Sequence, residues 1–160
     1  MQSLLGRYDE AARSFQKATE LAPNTYQFWI NLGDAYRWGQ RRPEADKAYE
    51  RAIETARGAL AVNSKEALAI ATIASCLAKS GRVDEAASQI RSAISLDPTN
   101  AYVLYEAAVV SQMRGDSDAA ISWLRRAVQN GLAPHDAAAD PDFQALRQKP
   151  EFKSIINERT

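Results

Sequence analysis

One cysteine, one histidine and a formal net charge of zero exclude several common functions for this chain of 160 residues. A lone thiol, Cys76, cannot close an internal disulfide. No histidine or second cysteine is near it in sequence, so it reads as a small packing residue rather than a reactive group. Twenty basic side chains balance twenty acidic ones, which removes any long-range pull toward nucleic acid or an acidic membrane surface. No apolar run approaches the roughly 20 residues that span a bilayer, and no signal peptide is visible at Met1. The expectation is a cytoplasmic chain with neither nucleic acid nor membrane as partner. His135 stands with Asp136, Asp140 and Asp142, but one imidazole among carboxylates is a poor metal set, and the acids serve better as helix caps. No Gly-rich phosphate loop occurs, and a single histidine builds neither a Ser/His/Asp nor a Cys/His arrangement. No metal, no cofactor and no enzymatic activity are expected.

What is present is a helical pattern, densest from Trp29 to Ala52. Trp29, Leu32, Gly33 and Tyr36 recur at spacings of three and four, one face of a helix. After a short break, Ala45, Tyr49 and Ala52 mark one face of a second helix. Small residues at Gly33 and Ala45 allow close approach, and Trp29, Tyr36 and Tyr49 fill the space around them. Such a pair cannot bury its apolar face alone.

The pattern repeats. Ile70, Ile73, Ala74 and Leu77 copy the first face, and Ala86, Ile90 and Ala93 the second; Leu104, Ala107, Ala108 and Ser111, then Ala120, Leu124 and Ala127, copy both again. Upstream only the second half occurs, as Ala11, Phe15 and Ala18. The turns recur as GRYDEA at Gly6, GRVDEA at Gly81 and GDSDAA at Gly115, and Pro23 and Pro98 close two of the units. The period is 34 from Gly81 to Gly115 and again from Ala11 to Ala45, but 41 from Ala45 to Ala86, an insertion of seven residues. This resembles the tetratricopeptide repeat, whose pattern W-x2-L-G-x2-Y, A-x3-F and closing P is matched most fully by Trp29 to Ala52. The resemblance covers about residues 6 to 130 and implies an all-α superhelix of three and a half helix–turn–helix units. The units fall at 1–24 (second helix only), 25–62, 63–98 and 99–131, followed by a capping segment over 132–160.

In chain order, residues 1–5 read as the end of a missing helix, with the next helix from Arg7 to Leu21. Its Tyr8 and Phe15 face, lacking a first helix to pack on, is a candidate for self-association into a homo-oligomer. Asn24 or Thr25 caps the following helix, Gly39 and Gln40 end it, and Pro43 suits the first turn of the next. The inserted residues continue that helix by about two turns. Asn63 and Glu66 match a capping box, with Ser64 as an alternative cap. Gly81, Gly115 and Gly131 end helices, Leu132 to Ala139 reads as a loop, and Asp140 or Asp142 caps a short helix carrying Phe143 and Leu146 that Pro150 breaks. Phe152, Ile155 and Ile156 complete an apolar lid over the fourth unit. The tail pattern DP-x-F-x2-LR-x2-P-x-F is similar to segments that follow such arrays in bacterial multidomain signalling proteins: serine/threonine kinases, adenylate cyclases and winged-helix regulators.

In stacked pairs of this kind the first helices line a concave surface. Side chains of those helices off the packed face are then candidate partner contacts: Gln27, Ile30, Asn31, Asp34, Arg37 and Trp38; Leu68, Ala71, Thr72, Ser75, Ala78 and Lys79; Tyr102, Tyr105, Glu106, Val109, Gln112 and Met113. Trp38, Tyr102, Tyr105 and Met113 are large for such places and either contact a partner or pack against the inserted turns and the C-terminal tail. Some members of the resembled family hold the C-terminal carboxylate of a heat-shock chaperone with Lys, Asn and Arg. Here Asn31 fits by type, but Thr72, Ser75, Tyr102 and Glu106 replace the rest. The expected ligand is therefore a helix or extended peptide with apolar anchors and a basic residue, not an acidic tail. Arg37, Arg41 and Arg42 form a small basic cluster in a solvated turn.

Overall fold

The computed structural model describes residues 2–157, and side chains from residue 4 onward. The readings that involve Met1 lie outside the described residues. Helices alternate in antiparallel pairs: α1 Gln2–Leu21, α2 Tyr26–Trp38, α3 Arg42–Val62, α4 Ala67–Lys79, α5 Val83–Leu96, α6 Ala101–Met113 and α7 Ser117–Gln129. The C-terminal segment adds α8 Pro134–Ala139, a 3₁₀ helix Pro141–Leu146 and α9 Pro150–Ile156. Among the described residues there is no strand, and no helix is long and apolar enough to cross a membrane. Within the array α2 packs on α3, α4 on α5 and α6 on α7, and each pair stacks on the next: an α-α superhelix.

The close approach expected at Gly33 is present. A Cβ built there would sit 2.5 Å from Cε1 of Tyr49, and Ala45, Tyr49 and Ala52 are fully buried beside it. Three clusters follow the stack. Ala12, Leu32, Ala35 and Ala48 join α1 to the first full pair. A central cluster runs from Tyr26 to Val110. The third gathers Leu104, Leu124, Phe143, Leu146, Phe152 and Ile155, so the C-terminal segment covers the last pair. Helix α4 lies at the centre; of its thirteen residues all but Leu68 are buried. The insertion does extend α3 to 21 residues, and Val62 at its end is 92% exposed.

Several local expectations are corrected. Gly6 makes no turn: α1 runs through it unbroken, and a glycine in a helix costs only about 1 kcal/mol. The capping box at Asn63 and Glu66 does not form. Asn63 instead accepts from the Lys65 backbone at 3.2 Å, and the Glu66 carboxylate accepts from the Tyr26 hydroxyl at 2.6 Å. Thr25 is the N-cap of α2, yet its side chain makes no capping bond. The stretch read as a loop contains α8, started by Pro134 and anchored by buried Ala137. Pro150 opens α9 rather than ending a helix, since its missing N–H costs nothing in a first turn. Gly81, Gly115 and Gly131 take φ of 88°, 84° and 104°, the left-handed geometry that stops a helix.

Candidate functional site

The ends of α2 and α4, with Tyr49 of α3, carry a buried charge cluster. Arg37 and Trp38 come from the last turn of α2, and Lys79 ends α4. Repeat stacking puts these two helix ends side by side. Lys79 Nζ lies 2.8 Å from both carboxylate oxygens of Asp34, one turn before Trp38 on α2. The Tyr49 hydroxyl of α3 donates to Asp34 Oδ1 at 2.7 Å and accepts from Arg37 Nε at 3.0 Å.

The C-terminal segment completes this cluster. Asp142 Oδ1 takes the Arg37 guanidinium and, at 3.0 Å, the indole N–H of Trp38; its Oδ2 is 3.7 Å from Lys79 Nζ. Side chains of Lys79 and Asp142 are only 4% and 2% exposed. Asp140 accepts from the Tyr105 hydroxyl of α6 and caps the 3₁₀ helix by accepting from the Asp142 backbone at 2.8 Å. Phe143 meets the Tyr105 ring edge-on at 5.7 Å.

Burial and partners set the ionisation here. Burial opposes the charge on Lys79, but Asp34 and Asp142 outweigh it and hold the ammonium well above its usual pKa. Arg37 is raised in the same way, burial being overcome by Asp142. Asp142 is held below the carboxylate range: burial pushes it up, while Lys79 and Arg37 pull it further down. Asp140 goes up, through burial and then the Asp142 charge. Glu106 is pushed up to about 7 by burial, which Lys79 only partly offsets. Two cations and two carboxylates thus neutralise one another away from water, as buried charges must. The Arg37 and Lys79 cations and the Trp38 indole N–H hold the carboxylate of Asp142. Cys76 is fully buried, and burial raises its thiol pKa well above the ordinary value.

The residues singled out from sequence take distinct places. Asp34, Arg37, Trp38, Lys79 and Tyr105 do come together, around the chain's own tail. Ile30 and Val109 are buried in the central and C-terminal clusters, so they present no open surface. Ala71, Thr72, Ser75 and Ala78 are enclosed because α4 is wrapped by its neighbours. Met113 is half-buried between two clusters, and Glu106 is half-buried with its Oε2 enclosed and unpartnered. Gln27 and Tyr102 are exposed, Tyr102 at 60%, and Asn31 is half-exposed. Tyr8 and Phe15 are half-buried against α2, Tyr8 with its ring centroid 5.8 Å from that of Trp38. His135 is exposed beside Asp136, away from the cluster. Arg41 and Arg42 pair with Glu44 and Asp46 in the exposed turn.

Two features of the site escaped the sequence reading. Arg37 and Lys79, named separately as groove side chains, meet in one ion-pair cluster. Asp142, read as a possible cap, is a counter-ion of that cluster. The Tyr49 hydroxyl, seen only as filling, ties Asp34 to Arg37. A signal for it existed, because the repeat pattern asks for Phe there, and a buried Tyr in its place needs a polar partner.

The tetratricopeptide-repeat profile matches residues 5–61, 40–101 and 71–137. This chain belongs to the tetratricopeptide-repeat family. Members of that family generally act as non-catalytic scaffolds for proteins. Solved structures similar to this repeat protein include one described as MamA, 18% identical over 78% of this chain and 89% of that one, with a TM-score of 0.41. A second is YrrB, described as a TPR protein with an unusual peptide-binding site, at 21% identity over 81% and 80% with a TM-score of 0.42. A third is a MamA double mutant at 16% identity over 85% and 71%, with a TM-score of 0.44. At these values the likeness says nothing of what this repeat protein binds. No curated protein matches the chain.

Proposed function

We propose that this repeat protein is a non-catalytic interaction module that binds a peptide or helix of a protein partner on its concave side. One observation supports the reading: side chains of α2, α4 and α6 hold a peptide segment, and the segment is the chain's own. The exposed ring of Tyr102, with an apolar face and a polar tip, extends the contact surface beyond it. The tail pattern DP-x-F-x2-LR-x2-P-x-F supports a setting in a larger bacterial signalling or regulatory protein.

Selection of displayed random peptides on the full chain tests this. Enriched peptides should lose binding to the Tyr102→Ala and Trp38→Ala chains while helicity is unchanged. Enriched peptides indifferent to both changes would place the contact elsewhere.

A second reading, self-association, is supported by exposed apolar side chains of α1. Within the array α1 stacks on α2, while Leu4 and Leu21 are 51% and 78% exposed. Light scattering across a concentration series decides it; a constant monomer mass removes the idea.

A further inference from the structure

The fourth unit does not fill its packing positions as the third does. In α4, Ile73 and Leu77 are buried. One period of 34 residues later, α6 carries Ala107 and Ser111 instead. The smaller side chains leave an open groove of about 230 Å³ where α5, α6 and α7 meet. Ala107 and Ser111 line it from α6, Ile90 from α5 and the half-buried Trp123 from α7. Trp123 stands where the preceding repeat has Gln89. Ala107 and Ser111 come two and six residues after Tyr105. At 3.6 residues per turn they lie on the side of α6 away from it, so the groove is separate from the cluster around Asp142.

The edge of the groove is basic. Arg91 and Arg114 border it and are exposed. Among the described residues neither forms an ion pair or a side-chain hydrogen bond. The matching places in the preceding repeats hold Glu50 and Ser80, and Glu50 pairs with Arg82 at 3.8 Å. Asp116 also borders the groove, but its carboxylate caps α7, accepting the Ala119 N–H at 3.0 Å. A further cation, Arg126, stacks over the Trp123 ring at 4.7 Å.

Size and charge decide what fits. The volume falls below the roughly 300–1,000 Å³ of small-molecule sites and suits one large apolar side chain. Tryptophan and arginine are the side chains that most often carry binding energy between proteins. Arginines without counter-ions favour a carboxylate and oppose a basic segment.

We propose that this groove docks a segment of a protein partner that inserts one aromatic or branched apolar side chain and sets an acidic residue beside it, against Arg91 and Arg114. It is a second contact surface, independent of the one proposed above.

Displayed random peptides, selected on the full chain, are the probe. One enriched class should place an Asp or Glu next to a large apolar residue. Synthetic fluorescein-labelled copies of that class should bind about tenfold more weakly, or worse, to the chain carrying Arg91→Glu and Arg114→Ser, the residues of the preceding repeats. Ala107→Ile with Ser111→Leu should weaken them as much by filling the groove. Trp38→Ala and Tyr102→Ala should leave them unaffected, and the nitrogen-15 indole signal of Trp123 should move when they bind the native chain. If the filled chain does not fold, the arginine substitutions, at exposed positions, and the Trp123 signal decide. The proposal is overturned if no enriched class responds to the arginine substitutions, if the class that responds lacks acidic residues, or if the Trp123 signal stays still. A dimer that the arginine substitutions dissolve would assign the groove to a second copy of the chain and overturn the partner assignment. An acidic–apolar class that responds only to the arginine and groove-filling changes, with no class sensitive to Trp38→Ala or Tyr102→Ala, would reject the first surface and support this one.

Discussion

Trp38 donates its indole N–H to Asp142, 104 residues further along the chain, at 3.0 Å. That bond, with the neighbouring Arg37 pair, joins the first full repeat to the C-terminal cap. The account of the site follows from it.

Asp142→Asn removes the negative charge that faces Arg37 and Lys79. A pair broken where water cannot return costs about 3–5 kcal/mol. The Lys79 and Asp142 side chains are only 4% and 2% exposed, so the loss should fall in that range. Urea unfolding of the two chains checks this.

The glycines should respond in opposite senses. Gly33→Ala drives a methyl into the Tyr49 ring and should cost about 1–3 kcal/mol through overpacking. Gly6 and Gly58 lie within helices with open space around them. Gly6→Ala and Gly58→Ala should each stabilise by about 0.5–1 kcal/mol. Gly81→Ala, at φ 88°, should cost about 1–2 kcal/mol. Thermal unfolding of the four variants measures the set; a loss at Gly6 would restore the turn that its sequence suggested.

Glu106 links stability to pH. Its carboxyl moves from 4.5 to about 7 on burial, so the folded chain binds a proton that the unfolded chain releases. The Glu106 contribution is therefore fully present below pH 4.5 and is lost as pH rises toward 7. The groups around it are Lys79, Ser75, Asp34 and Asp140. Glu106→Gln should be more stable than the native chain at pH 8, and the difference should shrink toward pH 4.5. Asp142 acts oppositely: held low, it adds stability above its usual range and loses it as pH falls through its folded value. A difference between the two chains that is flat with pH contradicts the burial of Glu106.

Phe152 is fully buried in α9. Phe152→Ala should cost about 3–5 kcal/mol and loosen the cap from α7. Hydrogen exchange should quicken over 141–157 more than over α4, the most enclosed helix.

The repeat itself was legible from residues, because Trp29, Gly33, Ala45 and Tyr49 act through spacing along single helices. The extension of α3 was legible for the same reason: nothing between Ala56 and Val62 stops a helix. Turns were less secure. Gly6 carries the same GRxDEA string as Gly81, yet Gly6 lies inside α1 while Gly81 follows α4 at φ 88°. The site was the hardest part. Arg37 and Asp142 meet across 105 positions, and no periodicity encodes a polar contact of that span. Of the side chains counted as open groove, Ile30 is buried in the central cluster, Val109 in the cluster shared with the tail, and Lys79 between Asp34 and Asp142.

The central claim is that the concave donors are held by the chain's own Asp142. Nitrogen-15 NMR of the Trp38 indole, assigned by loss of its signal in Trp38→Phe, tests it most directly. In the native chain that N–H should exchange slowly with water, and Asp142→Asn should shift it and speed its exchange. A Trp38 indole signal that exchanges freely in the native chain and is unmoved by Asp142→Asn would contradict the account.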